Sequence, residues 1–307
     1  MLLTKHHPRR FGTLRYVYPV ISRRSGGLSL GINLSPTGLC NFACVYCQIL
    51  AEFPNIGQEQ QPAGDRDRAD DRDRAGDKAD PGKTNLRVPL DVLEAELRHL
   101  IGSVSDGSLF KQPAFAAVPN DKRVLKDIAF SGDGEPTLSP QLLETIRLVE
   151  RVRKDLCEPA VKIVLITNAS TLHLAATRSA IDVMFQNNGE IWAKLDAGTD
   201  EFYRTVSRSN VPFHNICSNL VDFTRDNPVV IQTCFLSLHG NGPGVKEIGE
   251  YTERLKALSN VKYVHIYTVA RHTPETWALP LENQELEDIA RDVRQQTSMD
   301  VRVFHSG

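Results

Sequence analysis

Cysteine is scarce in this chain, with 6 residues among 307, and no apolar run approaches the length needed to span a membrane. So few cysteines in so long a chain exclude the small, disulfide-rich secreted class. The N-terminus has no apolar stretch of the kind found in export signals, so we expect a cytoplasmic protein with no membrane partner. A formal net charge of −2 argues against nucleic-acid binding through overall charge.

Acidic residues are missing from the N-terminal segment, where the first one is Glu52. The basic residues of this segment are Lys5, Arg9, Arg10, Arg15, Arg23 and Arg24. Aromatic side chains are interleaved with them, so residues 1–27 could form an arm that contacts phosphates and stacks on bases. The interpretation that we favour is a solvated tail that packs its aromatics on the domain formed by residues 28–307.

A charged insertion interrupts that domain at residues 54–83. Its centre, 65–74, alternates Asp with Arg and has no apolar residue larger than Ala. Such a segment cannot bury enough surface to offset the entropy of ordering, so it is predicted to be disordered. A short helix with charge pairs is the alternative.

Strand-like and helix-like segments alternate along the rest of the chain. Strands are predicted at 28–34, 127–131, 161–167, 190–196, 228–236 and 262–268. Helices are predicted at 90–101, 140–156, 213–225, 245–258 and 282–296. This order indicates parallel β/α units with right-handed crossovers, either in an open doubly wound sheet or in a barrel.

Residue alternation within the strands favours the barrel. In the last predicted strand, Val264 and Ile266 share one face while Tyr263, His265 and Tyr267 share the other, and three other strands alternate similarly. A sheet between two helical layers is apolar on both faces. The pattern therefore predicts a partial (β/α)6-type barrel of mainly parallel strands around a polar chamber, unless these groups satisfy one another in a packed core.

The most informative stretch is the C-x3-C-x2-C sequence formed by Cys40, Cys44 and Cys47. Three thiolates on one compact loop can hold three corners of a [4Fe–4S] cluster and leave the fourth iron open to a ligand. A closed zinc site needs four protein ligands, and the nearest later cysteine and histidine are Cys157 and His99. The spacing therefore favours an iron–sulfur cluster over zinc.

Polar or glycine-rich sequences follow four other predicted strands. They are 131–136, 167–170, 194–198 and 267–271. Since ligands of parallel β/α folds bind at the carboxyl ends of the strands, these sequences should surround one site with the cysteine loop. There Asn168 could bind a ribose or a carboxylate, and Lys194 or Arg271 could neutralise a carboxylate.

These features resemble the radical S-adenosylmethionine (SAM) enzymes. Their C-x3-C-x-Φ-C motif, in which Φ is aromatic, matches Cys40, Cys44, Tyr46 and Cys47. Their glycine–glutamate motif is similar to Asp-Gly-Glu-Pro at 133–136, with Asp in place of the first glycine.

Further similarity, at 19–31 and 194–196, is with the iron–sulfur oxidoreductases related to wybutosine-synthesising tRNA enzymes. The resemblance covers most of the chain outside 54–83 and the extreme N-terminus. Wybutosine-type enzymes carry a second cluster on additional N-terminal cysteines, and no cysteine precedes Cys40 here. We therefore expect one cluster.

The resemblance implies two cofactors, a [4Fe–4S] cluster and SAM, and a reductant such as flavodoxin or ferredoxin. It implies reductive cleavage of SAM to a 5′-deoxyadenosyl radical that abstracts hydrogen from a substrate, with a tRNA or other RNA base as the leading candidate. The implied ligands of the cluster are Cys40, Cys44 and Cys47. The implied SAM-binding residues are Tyr46, Gly134, Glu135, Asn168, Lys194, Asp196 and Arg271.

Candidate catalytic residues are His265 and Tyr267, since both face the predicted chamber and could act as acid, base or radical relay. A histidine in a strand is also often a structural core residue. Two alternative functions stay open. One is the same radical chemistry on a peptide or protein, and the other is an iron–sulfur or zinc RNA-binding module without turnover.

Overall fold

The structure is a computed structural model, and it describes residues 9–51 and 87–306. The predicted insertion at 54–83 lies outside the described residues. Within them, no helix is both long and apolar enough to cross a membrane.

The described part of the chain forms ten strands and seven α-helices. The strands are β1 (Val17–Ser22), β2 (Gly27–Ile32), β3 (Leu125–Phe130), β4 (Lys162–Thr167), β5 (Gly189–Lys194), β6 (Val229–Cys234), β7 (Leu236–Leu238), β8 (Val261–Tyr267), β9 (Ala278–Pro280) and β10 (Val301–Phe304). The helices are α1 (Leu90–Ser105), α2 (Leu142–Leu156), α3 (Ala175–Phe185), α4 (Asp200–Ser207), α5 (Phe213–Asp226), α6 (Val245–Lys256) and α7 (Asn283–Thr297).

Eight of these strands form one curled sheet in the order β1-β2-β3-β4-β5-β6-β8-β10. β1 is antiparallel to β2, and all the other neighbours in this sheet are parallel. β7 and β9 form a separate antiparallel pair. The predicted partial barrel of mainly parallel strands is confirmed.

All six predicted strands and all five predicted helices are present. The prediction missed α3, α4, the short pair β7 and β9, and the last strand, β10, which has only four residues. It also missed β1, which lies inside the segment predicted to be an arm and pairs with β2 from Val17 opposite Ile32 to Ser22 opposite Gly27. The boundary predicted at residues 27 and 28 therefore falls within a β-hairpin.

Helix α1 holds the start of β1 against the sheet. The buried carboxylate of Glu96 accepts hydrogen bonds from the backbone N–H groups of Arg15, Tyr16 and Val17 at 2.9, 2.8 and 3.0 Å. Buried N–H groups without partners would be costly, so this carboxylate stabilises the entry of the chain into the sheet. The described part of the segment predicted to be an arm therefore packs on the domain.

The two faces of the curled sheet differ as the alternation predicts. On the outer face, side chains such as Ile191 and Val264 belong to the main apolar core with the helices. On the inner face, Trp192, Val230 and Tyr263 form part of a small apolar floor. The inner face is otherwise polar, so one side of the sheet is covered by helices and the other encloses a chamber.

A buried ionic network lies at the amino ends of the strands, below this floor. Glu190 is 2% exposed and accepts hydrogen bonds from Trp192 Nε1 and Tyr263 Oη, both at 2.9 Å. The ammonium groups of Lys162 and Lys262 approach the same carboxylate at 3.2 and 3.0 Å. Burial alone would raise the pKa of Glu190, but the hydrogen bonds and the nearby lysines outweigh it and lower the pKa to about 2. This network links β4, β5 and β8 and closes the base of the barrel.

Candidate active site

A cavity of about 400 Å³ lies at the carboxyl ends of the parallel strands. All three cysteines of the triplet, Cys40, Cys44 and Cys47, line it. The other predicted site residues on its wall are Tyr46, Gly134, Glu135, Asn168, Lys194, Tyr267 and Arg271. The fold therefore brings most of the predicted residues, which lie far apart in sequence, to one chamber.

The cysteine loop is held in place by backbone hydrogen bonds from two directions. The N–H groups of Ala43 and Val45 donate to carbonyls at the end of α4 at 3.0 and 2.9 Å. On the other side, the N–H of Glu135 donates to the carbonyl of Leu39 at 2.9 Å. The loop is thus positioned by groups that are not cluster ligands.

The three thiols fit a [4Fe–4S] cluster in their chemistry and placement. None of them forms a disulfide, and each is partly buried. Burial and the charge of Glu135 raise the pKa of Cys40 to about 12, and burial with the charge of Cys47 raises the pKa of Cys44 well above its usual value. Such thiols are protonated near neutral pH, so loading a metal centre must release protons.

The thiol arrangement differs from that of a mononuclear metal site. In the described ranges, no group of three His, Cys, Asp or Glu side chains converges closely enough to hold one metal ion. A cubane cluster instead spreads its three cysteine ligands over three irons.

Gly134 packs directly against the cysteine loop. A Cβ at this position would collide with the backbone carbonyl of Leu39 and come within 2.8 Å of Ser35 Cβ. We expect Gly134→Ala to lower both the melting temperature and the iron retained after reconstitution, with a loss of stability of about 1–3 kcal/mol from overpacking. The matched control is Gly249→Ala, which adds a Cβ in open space on α6 and should leave both quantities unchanged or raise stability slightly. Equal behaviour of the two variants would contradict this packing role.

The carboxylate of Glu135 joins the loop after β3 to the end of β4. It accepts from the hydroxyls of Thr137 and Thr167, both at 2.7 Å, and from the backbone N–H of Asn168 at 2.7 Å. Asn168 in turn donates to Asn41 Oδ1 on the cysteine loop at 2.8 Å. The carboxylate of Glu135 is thus already hydrogen-bonded to protein donors. The backbone of Glu135, and not its side chain, is therefore the group suited to contact a ligand in the cavity.

Lys194 and Asp196 form a buried ion pair beside the cysteine loop, with Nζ and Oδ1 2.8 Å apart. The hydroxyl of Tyr46 donates to Asp196 Oδ2 at 2.5 Å, and Lys194 donates to the Tyr267 hydroxyl at 2.6 Å. Burial alone would lower the pKa of Lys194, but the charge of Asp196 outweighs it and raises the pKa. Lys194 is therefore a fixed cation, and Asp196, although outside the cavity wall, orients both Lys194 and Tyr46.

Arg271, in the loop after β8, reaches the cysteine loop across the cavity mouth. One of its guanidinium nitrogens donates to Gln48 Oε1 at 3.3 Å, and Gln48 Nε2 lies 3.4 Å from the carbonyl oxygen of His272. Burial and the charges of Arg9 and Arg23 lower the pKa of Arg271 to about 10. Crowding of like charges around one cavity is typical of a site that receives an anion.

The two predicted catalytic residues occupy different positions. Tyr267 lines the cavity, whereas His265 is 1% exposed and does not line it, with its ring centroid 5.2 Å from Trp192 and 4.9 Å from Phe304. Burial and the charge of Arg24 lower the pKa of His265 to about 3, so its ring is neutral near pH 7. A catalytic role for either residue stays a prediction.

Sequence reasoning did not assign Arg24 to the site. It lies in the turn between β1 and β2, and its guanidinium extends into the cavity and donates to Gln232 Oε1 at 2.6 Å. Its guanidinium carbon is 4.9 Å from the ring centroid of Tyr267 and 5.6 Å from that of Trp192. The signal was available, because two short apolar segments separated by a glycine-containing turn are typical of a β-hairpin.

Comparison with solved structures identifies the fold. A radical SAM methyltransferase from Sphaerobacter thermophilus gives a TM-score of 0.58 at 11% identity and covers 94% of this chain and 69% of its own. SuiB from Streptococcus suis, bound to the precursor peptide SuiA, gives 0.53 at 13% identity over 92% of this chain and 49% of its own. TYW1 with a lysine–pyruvate adduct gives 0.50 at 15% identity over 90% of this chain and 75% of its own.

Comparison by sequence adds less. No family model matches the chain. Among curated proteins, the GTPase Obg of Brachyspira hyodysenteriae is 24% identical over 301 residues, so this chain spans 95% of its own length but only 35% of that protein. The chain lacks the G-x4-G-K-S/T sequence of a phosphate-binding P-loop, and this match carries no argument about activity. The solved structures, in contrast, agree with the sequence motifs: the chain has the fold of the radical SAM enzymes.

Proposed function

We propose that this protein is a radical SAM enzyme that holds a [4Fe–4S] cluster on Cys40, Cys44 and Cys47. The observation that carries the proposal is the shared cavity, where the three cysteines meet the polar ends of β3, β4, β5 and β8. Bound together and reduced, the cluster and SAM supply a 5′-deoxyadenosyl radical that takes hydrogen from a substrate. The protein then has to bind, orient and shield these groups.

The residues on the cavity wall divide these tasks by their chemistry. Tyr46 offers an aromatic ring beside the cysteine loop, and the backbone around Gly134 offers carbonyls to an ammonium group. Lys194 and Arg271 offer positive charge to a carboxylate, while Asn168 offers an amide to a ribose. Asp196 acts through Tyr46 and Lys194, which it holds by hydrogen bonds.

Tyr267 is the better of the two catalytic candidates. Its side chain lines the cavity, and its hydroxyl accepts a hydrogen bond from Lys194, which holds the ring in one orientation. Burial raises the pKa of Tyr267, so the hydroxyl keeps its proton near neutral pH and can donate a hydrogen bond to a ligand. His265, buried outside the cavity wall, is suited to positioning Gln232, whose Nε2 lies 3.4 Å from its Nδ1.

An RNA base is the leading substrate class, and a flavodoxin or ferredoxin is the proposed reductant.

TYW1 has been solved with a lysine–pyruvate adduct. In this chain the lysine on the described cavity wall is Lys194, and its ion pair with Asp196 keeps it protonated. Since an adduct forms on the neutral amine, a lysine adduct at Lys194 is disfavoured. A peptide, of the kind bound by SuiB, is the alternative substrate.

Anaerobic reconstitution tests the proposal. After iron and sulfide are added and the cluster is reduced, SAM should be converted to 5′-deoxyadenosine and methionine in equal amounts, measured by liquid chromatography. If an intact, reduced cluster gives no 5′-deoxyadenosine, the enzyme proposal fails and a binding module is favoured. Mass-spectrometric comparison of tRNA modifications with and without the gene then tests the RNA substrate, and an unchanged set of modified bases would favour the peptide.

A further inference from the structure

Positive charge is concentrated on the cavity wall formed by the β1–β2 turn. The turn contributes the adjacent residues Arg23 and Arg24, and Arg271 contributes a third guanidinium from the loop after β8. The β1–β2 turn and the loop after β8 are far apart in the chain, and the curled sheet brings them to one chamber.

The guanidinium of Arg24 is fixed in place. It donates to Gln232 Oε1 at 2.6 Å and lies against the rings of Tyr267 and Trp192. A guanidinium carries five N–H donors, and its plane is suited to two parallel hydrogen bonds with a carboxylate or phosphate. An arginine held by one hydrogen bond and two rings keeps donors available and loses little conformational entropy when an anion binds.

Charge pairing within the described ranges does not account for Arg23 and Arg24. The other cations on the wall have acidic partners, with Arg9 3.3 Å from Asp133 and Lys194 2.8 Å from Asp196. Neither Arg23 nor Arg24 forms an ion pair with a carboxylate of the described ranges. Asp127 also lines the cavity, but its carboxylate accepts a hydrogen bond from Ser29 and forms no ion pair with Arg24.

We propose that Arg23 and Arg24 bind an anionic group of the substrate, a phosphate or a carboxylate, and that the substrate is a small anionic molecule. This inference rests on the proposed radical function, but it assigns a small anionic molecule as the substrate in place of an RNA base or a peptide. The cysteine loop lies at the rim and Arg24 extends toward Gln232 deeper in the barrel, so an anion held by Arg24 would place the rest of a small molecule below the cluster. A polymer would present its phosphates outside the chamber.

Anion binding can be measured in the cluster-loaded protein with SAM present, under anaerobic conditions at low salt. Pyrophosphate and succinate serve as the phosphate and carboxylate probes in isothermal titration calorimetry. We expect one of them to bind, and Arg23→Gln and Arg24→Gln each to weaken that binding by about tenfold or more, the loss expected for one charge-assisted contact. The control is Arg225→Gln, at an exposed position of α5, which should bind the probe as the wild type does.

Two further measurements separate the outcomes. Melting temperature and cluster absorbance show whether Arg24→Gln folds, and Arg23→Gln, whose side chain is exposed, tests the site independently of that variant. The inference fails if the wild type binds neither probe, if both variants bind like the wild type, or if Arg225→Gln weakens binding equally. It also fails if labelled tRNA binds through Arg24 while both small probes do not. If anions bind but the wild type releases no 5′-deoxyadenosine, the anion site stands and the proposed radical function falls.

Discussion

Replacing Cys40, Cys44 or Cys47 with serine is expected to remove most of the iron bound after anaerobic reconstitution and to lower 5′-deoxyadenosine formation by more than about 100-fold. Even the loss of an outer hydrogen-bond partner of a metal ligand costs 10–100-fold in affinity or activity, and the loss of a ligand costs more. Metal analysis and the SAM-cleavage assay measure the two effects. The same metal analysis distinguishes iron from zinc.

The control for this series is Cys157→Ser. Cys157 follows α2 and lies outside the cavity wall, although it is partly buried like the three proposed ligands. We expect this variant to keep its iron and its SAM cleavage. A triplet variant that retains the wild-type iron content and activity would refute the assignment of the cluster ligands.

Glu190→Gln is expected to lower the free energy of unfolding at neutral pH by about 3 kcal/mol. The folded protein lowers the pKa of Glu190 from its usual value of 4.5 to about 2, and each unit corresponds to about 1.4 kcal/mol. Because the folded pKa lies below the unfolded one, this stabilisation is present in full above about pH 4.5 and is lost as the pH falls toward 2. Urea unfolding at several pH values measures it, and Glu190→Gln should remove the corresponding pH dependence.

An exposed ion pair provides the comparison. Glu253 pairs with Lys256 on the surface of α6, and surface pairs of this kind contribute less than about 1 kcal/mol. We therefore expect Glu253→Gln to change stability little and to keep the wild-type pH dependence. A loss of stability as large as that of Glu190→Gln would show that the buried network has no special role.

Much of the fold was predictable because short stretches of sequence show the residue alternation that is typical of its strands. Parallel strands in a partial barrel alternate between an apolar outer face and a polar inner face, and this period of two is visible in β8 as Val264 and Ile266 opposite His265 and Tyr267. The missed elements lacked such a signal or were misread. β10 is short, and β1 was read with the basic residues around it.

Part of the candidate site was predictable, because ligands of parallel β/α folds bind at the carboxyl ends of the strands. Gly134, Asn168 and Lys194 were found in this way, since carboxyl ends of parallel strands share one edge. The partners of these residues were not predictable. The carboxylate of Glu135 accepts hydrogen bonds from Thr137 and Thr167, and these contacts depend on distances between separate loops.

The sequence by itself determined the three thiols on one loop, the alternating strands and hence the fold, because these depend on residue spacing and on the period of a strand. The tertiary structure decided which side chains meet in the chamber. It brought Arg24 from the β1–β2 turn to Gln232 on β6, paired Lys194 with Asp196, and left His265 buried outside the cavity wall. These arrangements depend on the curvature of the sheet and on side-chain packing, which act between residues distant in sequence and leave no local pattern in it.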